Sequence, residues 1–301
     1  MLPTMSSFPQ ILLDSLIAGC ATGCVYGLVA LSFVLIYKAT SAVSFMQGEL
    51  LMLGAFIVLA FHHAAGWPLP LALLGSIICM GLLGAGLERT LLHQALGQPH
   101  LTAVLLTFGC GLILRGAVLA VPEANQTLYP FPLPELQANK IFYLGKTILP
   151  APHLYVMLAT LLVTACLYIL FHHTRIGLGL RACAENPHAA SLCGVPIRSM
   201  HTLAWALGSA LAAIAGILLA PLTFVHLDMG LIALKAFPAA VLGGLVSLPG
   251  ALAGGLIIGL AETLCGLFLP EGFKDIVPYL ILLATLLLFP QGIMRQKNVH
   301  S

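Results

Sequence analysis

Long apolar stretches separated by short polar or turn-rich intervals run through the whole chain. They fall at 11–37, 49–66, 69–87, 101–121, 153–171, 201–226, 234–247, 250–268 and 276–290. A helix needs about 20 mainly apolar residues to cross a bilayer, and most of these runs approach that length. The seventh is short, and Gly243, Gly244, Pro249 and Gly250 punctuate the boundary after it. That pattern predicts a re-entrant or broken helix. Within each run the apolar positions are continuous rather than alternating, which argues against an outer-membrane barrel. The expected fold is an all-α polytopic membrane protein with about 8–9 transmembrane segments, some broken or re-entrant. Nine passes are favoured, in a single domain covering 1–301.

Composition agrees with a lipid environment. Of 301 residues, 60% are hydrophobic and only 7% are charged, against about 25% in a soluble domain. A soluble fold could not cover its surface with so few charges, so a soluble enzyme and a disordered chain are both excluded. Net charge is +2, too mild to suggest nucleic acid. None of the eight cysteines forms a C-x-x-C pair or a zinc-like spacing with histidine. Most sit inside apolar runs, where cysteine behaves as a small hydrophobe. No Lys or Arg precedes Lys38, so the first run is expected to stay as a span rather than leave as a signal peptide.

The placement of basic residues predicts orientation, because positive charge collects on the cytoplasmic side. With nine crossings and the N-terminus outside, Lys38, Arg89, Arg175, Arg181, Arg198, Arg295 and Lys297 share the cytoplasmic side. The outer side receives Lys140, Lys146 and Lys274, together with Glu123, Glu135, Asp228, Glu271 and Asp275. The N-terminus is therefore expected in the periplasm and the C-terminus in the cytoplasm. Two connections are long. The Pro-rich stretch 122–152 is expected outside, as a cap or docking surface. The stretch 172–200 is expected inside, with one or two helical turns over Asn186–Cys193 that Gly194 and Pro196 would stop.

Candidate chemistry is sparse. There is no phosphate-binding G-x-x-x-x-G-K-[ST] loop, no G-x-S-x-G elbow and no H-E-x-x-H helix, so no enzyme activity is expected of this chain. Ionisable groups in or beside the spans are Asp14, Glu49, Arg115, Lys235 and Glu262. Charges at membrane depth are costly and usually face a cavity or a partner. Glu262 lies mid-span and is the strongest candidate to face a cavity. Glu49 follows Gln47 and Gly48, either as a path-lining group at a broken helix or as an acid favoured by a helix N-terminus. Lys235 either lines a path or snorkels outward. Arg115 suits an interhelical ion pair as well as a pathway. His62–His63 and His172–His173 fall where spans leave the membrane. Glycines spaced by four mark helix-packing faces: Gly19, Gly23 and Gly27 in the first run, and Gly250, Gly254, Gly255 and Gly259 in the eighth.

Four separated segments carry a resemblance. They are SFMQGELLMLGAF at 44–56, RACAENPHAASLCGVPIRSMHTLAWALGSALAAIAGILLAPL at 181–222, LKAFPAAVLGGLVSLPGALAGGLIIGLAETL at 234–264 and DIVPYLILLATLLLFPQGI at 275–293. In order and spacing they resemble the permeases of bacterial branched-chain amino-acid ABC importers, nearest to the smaller of the two permease subunits. The second-span motif of that family commonly reads Phe-Ala-His-Gly-Glu; here Phe45, Met46, Gln47, Gly48 and Glu49 stand in its place. Gln for His removes a titratable group while keeping hydrogen bonding.

The resemblance implies a multi-pass subunit of an ATP-driven importer in the bacterial inner membrane. Implied partners are a paralogous permease, two cytoplasmic ATPases that bind ATP and Mg, and a periplasmic binding protein. No cofactor is expected in this chain. The loop matching the ATPase-coupling segment holds Glu185, Asn186, Ala189, Ala190 and Gly194, where small residues would seat a short helix and Gly194 would end it. A translocation path would run along the second, seventh and eighth segments beside Gln47, Glu49, Lys235 and Glu262. Branched-chain amino acids are the expected cargo. Urea or short-chain amides are the alternative, and an ion-driven secondary transporter or channel is a more distant one.

Overall fold

A computed structural model describes residues 8–40, 42–95, 100–121, 129–131, 141–144, 147–270, 272–289 and 292–294. Its helices are α1 (Phe8–Thr40), α2 (Gln47–Leu59), α3 (Leu69–Thr90), α4 (His100–Leu119), α5 (Ala151–His173), α6 (Arg175–Glu185), α7 (Pro187–Leu192), α8 (Ile197–Thr223), α9 (Leu231–Gly243), α10 (Leu248–Phe268) and α11 (Phe273–Leu288). A small hairpin, β1 (Ile141–Leu144) and β2 (Thr147–Pro150), lies between α4 and α5. The fold is that of an all-α polytopic membrane protein, and the hairpin is an addition the apolar pattern did not predict.

All nine apolar runs become helices. Among the described residues, seven stretches are long and apolar enough to cross a membrane: Gln10–Thr40, Gln47–Ala64, Leu69–Gln94, Leu101–Leu119, Ala151–His173, Ile197–Thr223 and Leu248–Phe268. The other two, α9 and α11, have 13 and 16 residues. The run at 201–226 does not lead straight into α9. Instead α8 ends at Phe224, whose φ is +64°. Val225 then pairs with Tyr129 through two backbone hydrogen bonds of 2.9 Å, and a 3-10 turn spans Leu227–Gly230. The chain thus turns back into the bundle before α9 begins.

Neighbouring helices alternate in direction. Gly19 approaches Gly259 and Thr263 while Gly27 approaches Leu252, so α1 and α10 are antiparallel. Glu88 meets Thr202 while Ala72 packs with Ile217, which makes α3 and α8 antiparallel. Gly243 meets Gly250 and Lys235 meets Glu262, which does the same for α9 and α10. The core lies between α1, α2, α8, α9 and α10, with Leu28, Leu51, Ala215, Ala239 and Ile258 inside it. The most apolar 18-residue window of α1 is 83% buried, whereas that of α5 is 17% buried. Large side chains such as Leu82, Ile113 and Leu162 point outward from α3, α4 and α5. A surface of this kind is stable in lipid and a liability in water.

The glycine stripes explain how close α1 and α10 come. A methyl group added at Gly255 would lie 2.3 Å from the Gly27 nitrogen, and one at Gly259 would lie 2.3 Å from the Gly23 Cα. Gly250 and Gly254 use a second face of α10. Added methyl groups there would meet the Gly243 oxygen at 2.1 Å and the Ala239 oxygen at 2.2 Å. One helix therefore holds α1 on one side and α9 on the other, backbone against backbone, as small residues permit.

Three helix starts follow local capping chemistry. The side-chain oxygens of Thr174, Asn186 and Ser247 accept from the backbone nitrogens of Gly177, Ala189 and Gly250 at 3.1, 3.0 and 3.1 Å. Each satisfies a donor that the first helical turn leaves free. Pro187 and Pro249 sit in the first turns of α7 and α10, where proline costs no hydrogen bond.

Candidate functional site

The shortened α9 lies between two groups of charges. On one side, Lys235 in its first turns donates to Glu262 Oε1 of α10 at 2.9 Å and to Asp275 Oδ1 of α11 at 2.5 Å. The Tyr26 hydroxyl of α1 donates to the other oxygen of Glu262 at 2.6 Å. Glu262 and Tyr26 are buried, and the Asp275 side chain is half exposed. Both carboxylate oxygens of Glu262 are thus satisfied, and its charge is matched by Lys235, as an acid at membrane depth requires.

On the other side, Arg115 of α4 reaches two acids. Its Nη2 meets Asp228 Oδ1 at 2.6 Å and its Nη1 meets Glu49 Oε1 at 3.6 Å. Glu49 sits in the first turn of α2, so helix-dipole stabilisation and ion pairing act on the same carboxylate. Asp228 lies in the 3-10 turn before α9 and is largely exposed. The two turns touch directly: a methyl group added at Gly48 would lie 2.3 Å from the Gly230 oxygen. The starts of α2 and α9 therefore meet, each helix opening next to the other inside the bundle.

Between these clusters, Leu231 and Leu234 of α9 are exposed. Leu231 and Lys235 are four residues apart, so they share a helix face. The resulting front presents cations and anions at its two ends with aliphatic surface between. Among the described residues, no group of three His, Cys, Asp or Glu side chains is placed to hold a metal ion.

Of the four path candidates, Glu49, Lys235 and Glu262 belong to this front. Gln47 does not reach it. Gln47 has no exposed surface, and its Nε2 donates to the Ser32 carbonyl at 3.5 Å. Gln47 therefore packs behind the front. Tyr26, Asp228 and Asp275 complete the clusters and were not among the site candidates. A further buried acid, Glu88, accepts from the Thr202 hydroxyl at 2.5 Å and ties α3 to α8 at the opposite end.

The predicted loop helix is present as α7. Asn186 caps it, and Gly194 takes a φ of +81°, which an L side chain adopts only with strain. Glu185, Asn186, Ala189 and Gly194 are exposed. Ala190 is 5% exposed and faces its own chain, so it anchors α7 rather than offering a seat to another protein. Leu192, which the sequence reading passed over, is 90% exposed at the end of α7.

The profile of a family described as "Branched-chain amino acid transport system / permease component" matches residues 15–286. The chain belongs to this family. The permease is 30% identical to the high-affinity branched-chain amino acid transport system permease protein LivH of Escherichia coli strain K12, over 96% of this chain and 97% of that protein. It is also 30% identical to the corresponding protein BraD of Pseudomonas aeruginosa, again over 96% and 97%. The autoinducer 2 import system permease protein LsrC of Escherichia coli O9:H4 is 28% identical over 76% of this chain and 66% of its own. A solved structure titled "PsaBC from Streptococcus pneumoniae in complex with Fab" aligns over 94% of this permease and 92% of that chain, with a TM-score of 0.48 and 14% identity.

Proposed function

We propose that this multi-pass permease moves branched-chain amino acids inward across the bacterial inner membrane as one subunit of an ATP-driven importer. The family membership and the LivH and BraD relatives support the transport class. The observation that carries the cargo reading is the α9 front. Lys235 with Asp275 and Arg115 with Asp228 offer both signs of charge, and Leu231 with Leu234 offers aliphatic surface. A zwitterionic head and a branched aliphatic side chain match that arrangement.

In this reading a paralogous permease covers the exposed face of α9 and completes the path. The α6–α7 end is cytoplasmic, in keeping with Lys38, Arg89, Arg175, Arg181 and Arg198 gathered there. Exposed α7 with Leu192 at its end is the contact for the ATPases, which bind ATP and Mg. A periplasmic binding protein delivers cargo at the opposite end, where Tyr129 and Val225 pair. ATP binding changes the ATPase contacts at α7, and the α9 front opens or closes in response.

The test is uptake by proteoliposomes that hold this permease with its paralogue, the ATPases and the binding protein. Labelled leucine should accumulate only with ATP on the ATPase side and only when this chain is present. ATP-driven urea uptake without leucine uptake would replace the cargo and keep the machine. Leucine uptake by this chain alone, without ATP, would overturn the reading.

A further inference from the structure

A cavity of about 460 Å³ lies at the α6–α7 end of the bundle, between α1, α5, α6 and the turn that precedes α10. Its apolar walls include Leu31, Leu167, Phe171, Leu248, Leu252 and Met294. Three basic side chains, Lys38, His172 and Arg181, line the same space, with the hydroxyl residues Thr164 and Ser247 among them. These residues have no part in the α9 front.

Among the described residues, neither Lys38 nor Arg181 takes part in an ion pair within 4.0 Å. Arg181 Nε is shielded from solvent and has no hydrogen-bond partner among the described residues. Lys38 feels Arg181 as a like charge and Glu185 as the opposing one, and Glu185 is exposed. His172 uses Nδ1 on the Tyr168 carbonyl at 3.1 Å and stacks on the Tyr168 ring at 4.2 Å. That leaves its Nε2 for another group. Two basic side chains and a shielded, unpaired donor lining one space suit an anion.

The shape of the site says which anion. A free inorganic ion would contact only the basic end and leave the apolar walls empty. The cavity borders α5, whose Leu161, Leu162 and Tyr168 point outward into the lipid-facing surface. Lipid therefore reaches it without crossing polar ground. A zwitterionic lipid would bring its own ammonium against Lys38 and Arg181.

We propose that this cavity binds an anionic phospholipid, with its phosphate between Lys38 and Arg181 and an acyl chain along Leu31, Leu167, Leu248 and Leu252. Basic pockets between membrane helices suit such headgroups. The lipid ties α6 to α1 and to the start of α10, and α6 leads through Asn186 into α7. It therefore fixes the base from which α7 projects. The assignment rests on the proposed orientation in one respect only, that the lipid belongs to the cytoplasmic leaflet.

The test uses the full-length permease reconstituted in nanodiscs of equal parts dioleoyl phosphatidylglycerol and dioleoyl phosphatidylethanolamine, released into mild detergent and weighed by native mass spectrometry. The wild type should retain phosphatidylglycerol about ten-fold over phosphatidylethanolamine. Lys38→Gln with Arg181→Gln should bring the two lipids near parity, and Lys38→Arg alone should keep the preference. Thr164→Phe fills the cavity without removing a charge and should lower retention of phosphatidylglycerol, which keeps the test decisive if the double variant does not fold. Equal retention of both lipids by the wild type, or no change in either variant, overturns the proposal. Displacement of phosphatidylglycerol by millimolar inorganic phosphate also overturns it, in favour of a free-phosphate site. Lipid retention needs neither ATPases nor cargo, so its failure leaves the transport reading standing, and a failure of transport leaves the lipid site standing.

Discussion

The two ends of α10 solve opposite problems. Toward α1 and the C-terminal part of α9 it presents glycines, and backbones meet with no side chain between them. Near its C-terminal end, at Glu262, it presents a charge held by Tyr26 of α1 and by Lys235 of α9, which also pairs with Asp275 of α11. The glycine seam is dry and has no alternative partner, so it acts as a fixed frame. The charged cluster is partly exposed, and each of its bonds can be exchanged for one to water or to a cargo. The difference separates the part of the permease that holds its shape from the part that can respond.

The largest effect should come from the seam. Gly255→Leu drives a side chain into the Gly27 backbone and should cost about 3 kcal/mol or more, seen as loss of monodisperse protein and a lower unfolding midpoint. Gly109→Leu in α4 is the control, since nothing lies within 4 Å of the added carbon. It should change stability by less than about 1 kcal/mol. Equal behaviour of the two variants would erase the distinction between frame and front.

Next comes Lys235→Ala. It leaves buried Glu262 without its cation and should cost about 1–3 kcal/mol. Adding Glu262→Gln should restore most of that loss, and a thermal-unfolding cycle over the four variants measures the coupling. Additive losses would mean that the pair does not act as a unit.

Arg115→Gln should matter less for stability, about 1 kcal/mol, because Asp228 is solvated and Glu49 stands 3.6 Å from the guanidinium. Its effect should appear in leucine uptake rather than in unfolding. The smallest change in stability, within about 0.5 kcal/mol, is expected for Leu192→Asp on the exposed end of α7. ATP-driven uptake should nonetheless be abolished. Ala190→Asp should differ by destabilising the protein, since Ala190 is buried against its own chain.

Much of this was legible in the sequence where the signal is local. Nine apolar runs gave nine helices, and the four-residue glycine spacing marked the faces of α1 and α10 that meet. Asn186 and Gly194 marked the ends of α7. What could not be read depends on residues far apart in the chain. Tyr26 and Glu262 are separated by 236 positions, and Arg115 and Asp228 by 113. No periodicity predicts such pairs. Gln47 looked like a polar lining group, yet its position beside Ser32 is set by how α1 and α2 cross. Helix α6 was not predicted: the stretch 172–200 was read as a connection with helical turns only over Asn186–Cys193, and α6 itself carries Gly177 and Gly179. In the folded chain they let α6 pack tightly, and a methyl group at Gly177 would lie 2.2 Å from the Leu170 oxygen. The apolar spacing of Leu180 and Cys183, three residues apart and both buried in the structure, was the available signal.

The central claim is that the charged front takes part in transport beyond holding the fold. The most direct measurement is ATP-driven leucine uptake by the double variant Lys235→Met with Glu262→Gln, alongside its unfolding midpoint on the same preparation. Near wild-type stability with uptake reduced to background is the predicted result. Near wild-type stability with normal uptake would contradict the claim and leave Lys235 and Glu262 as parts of the frame.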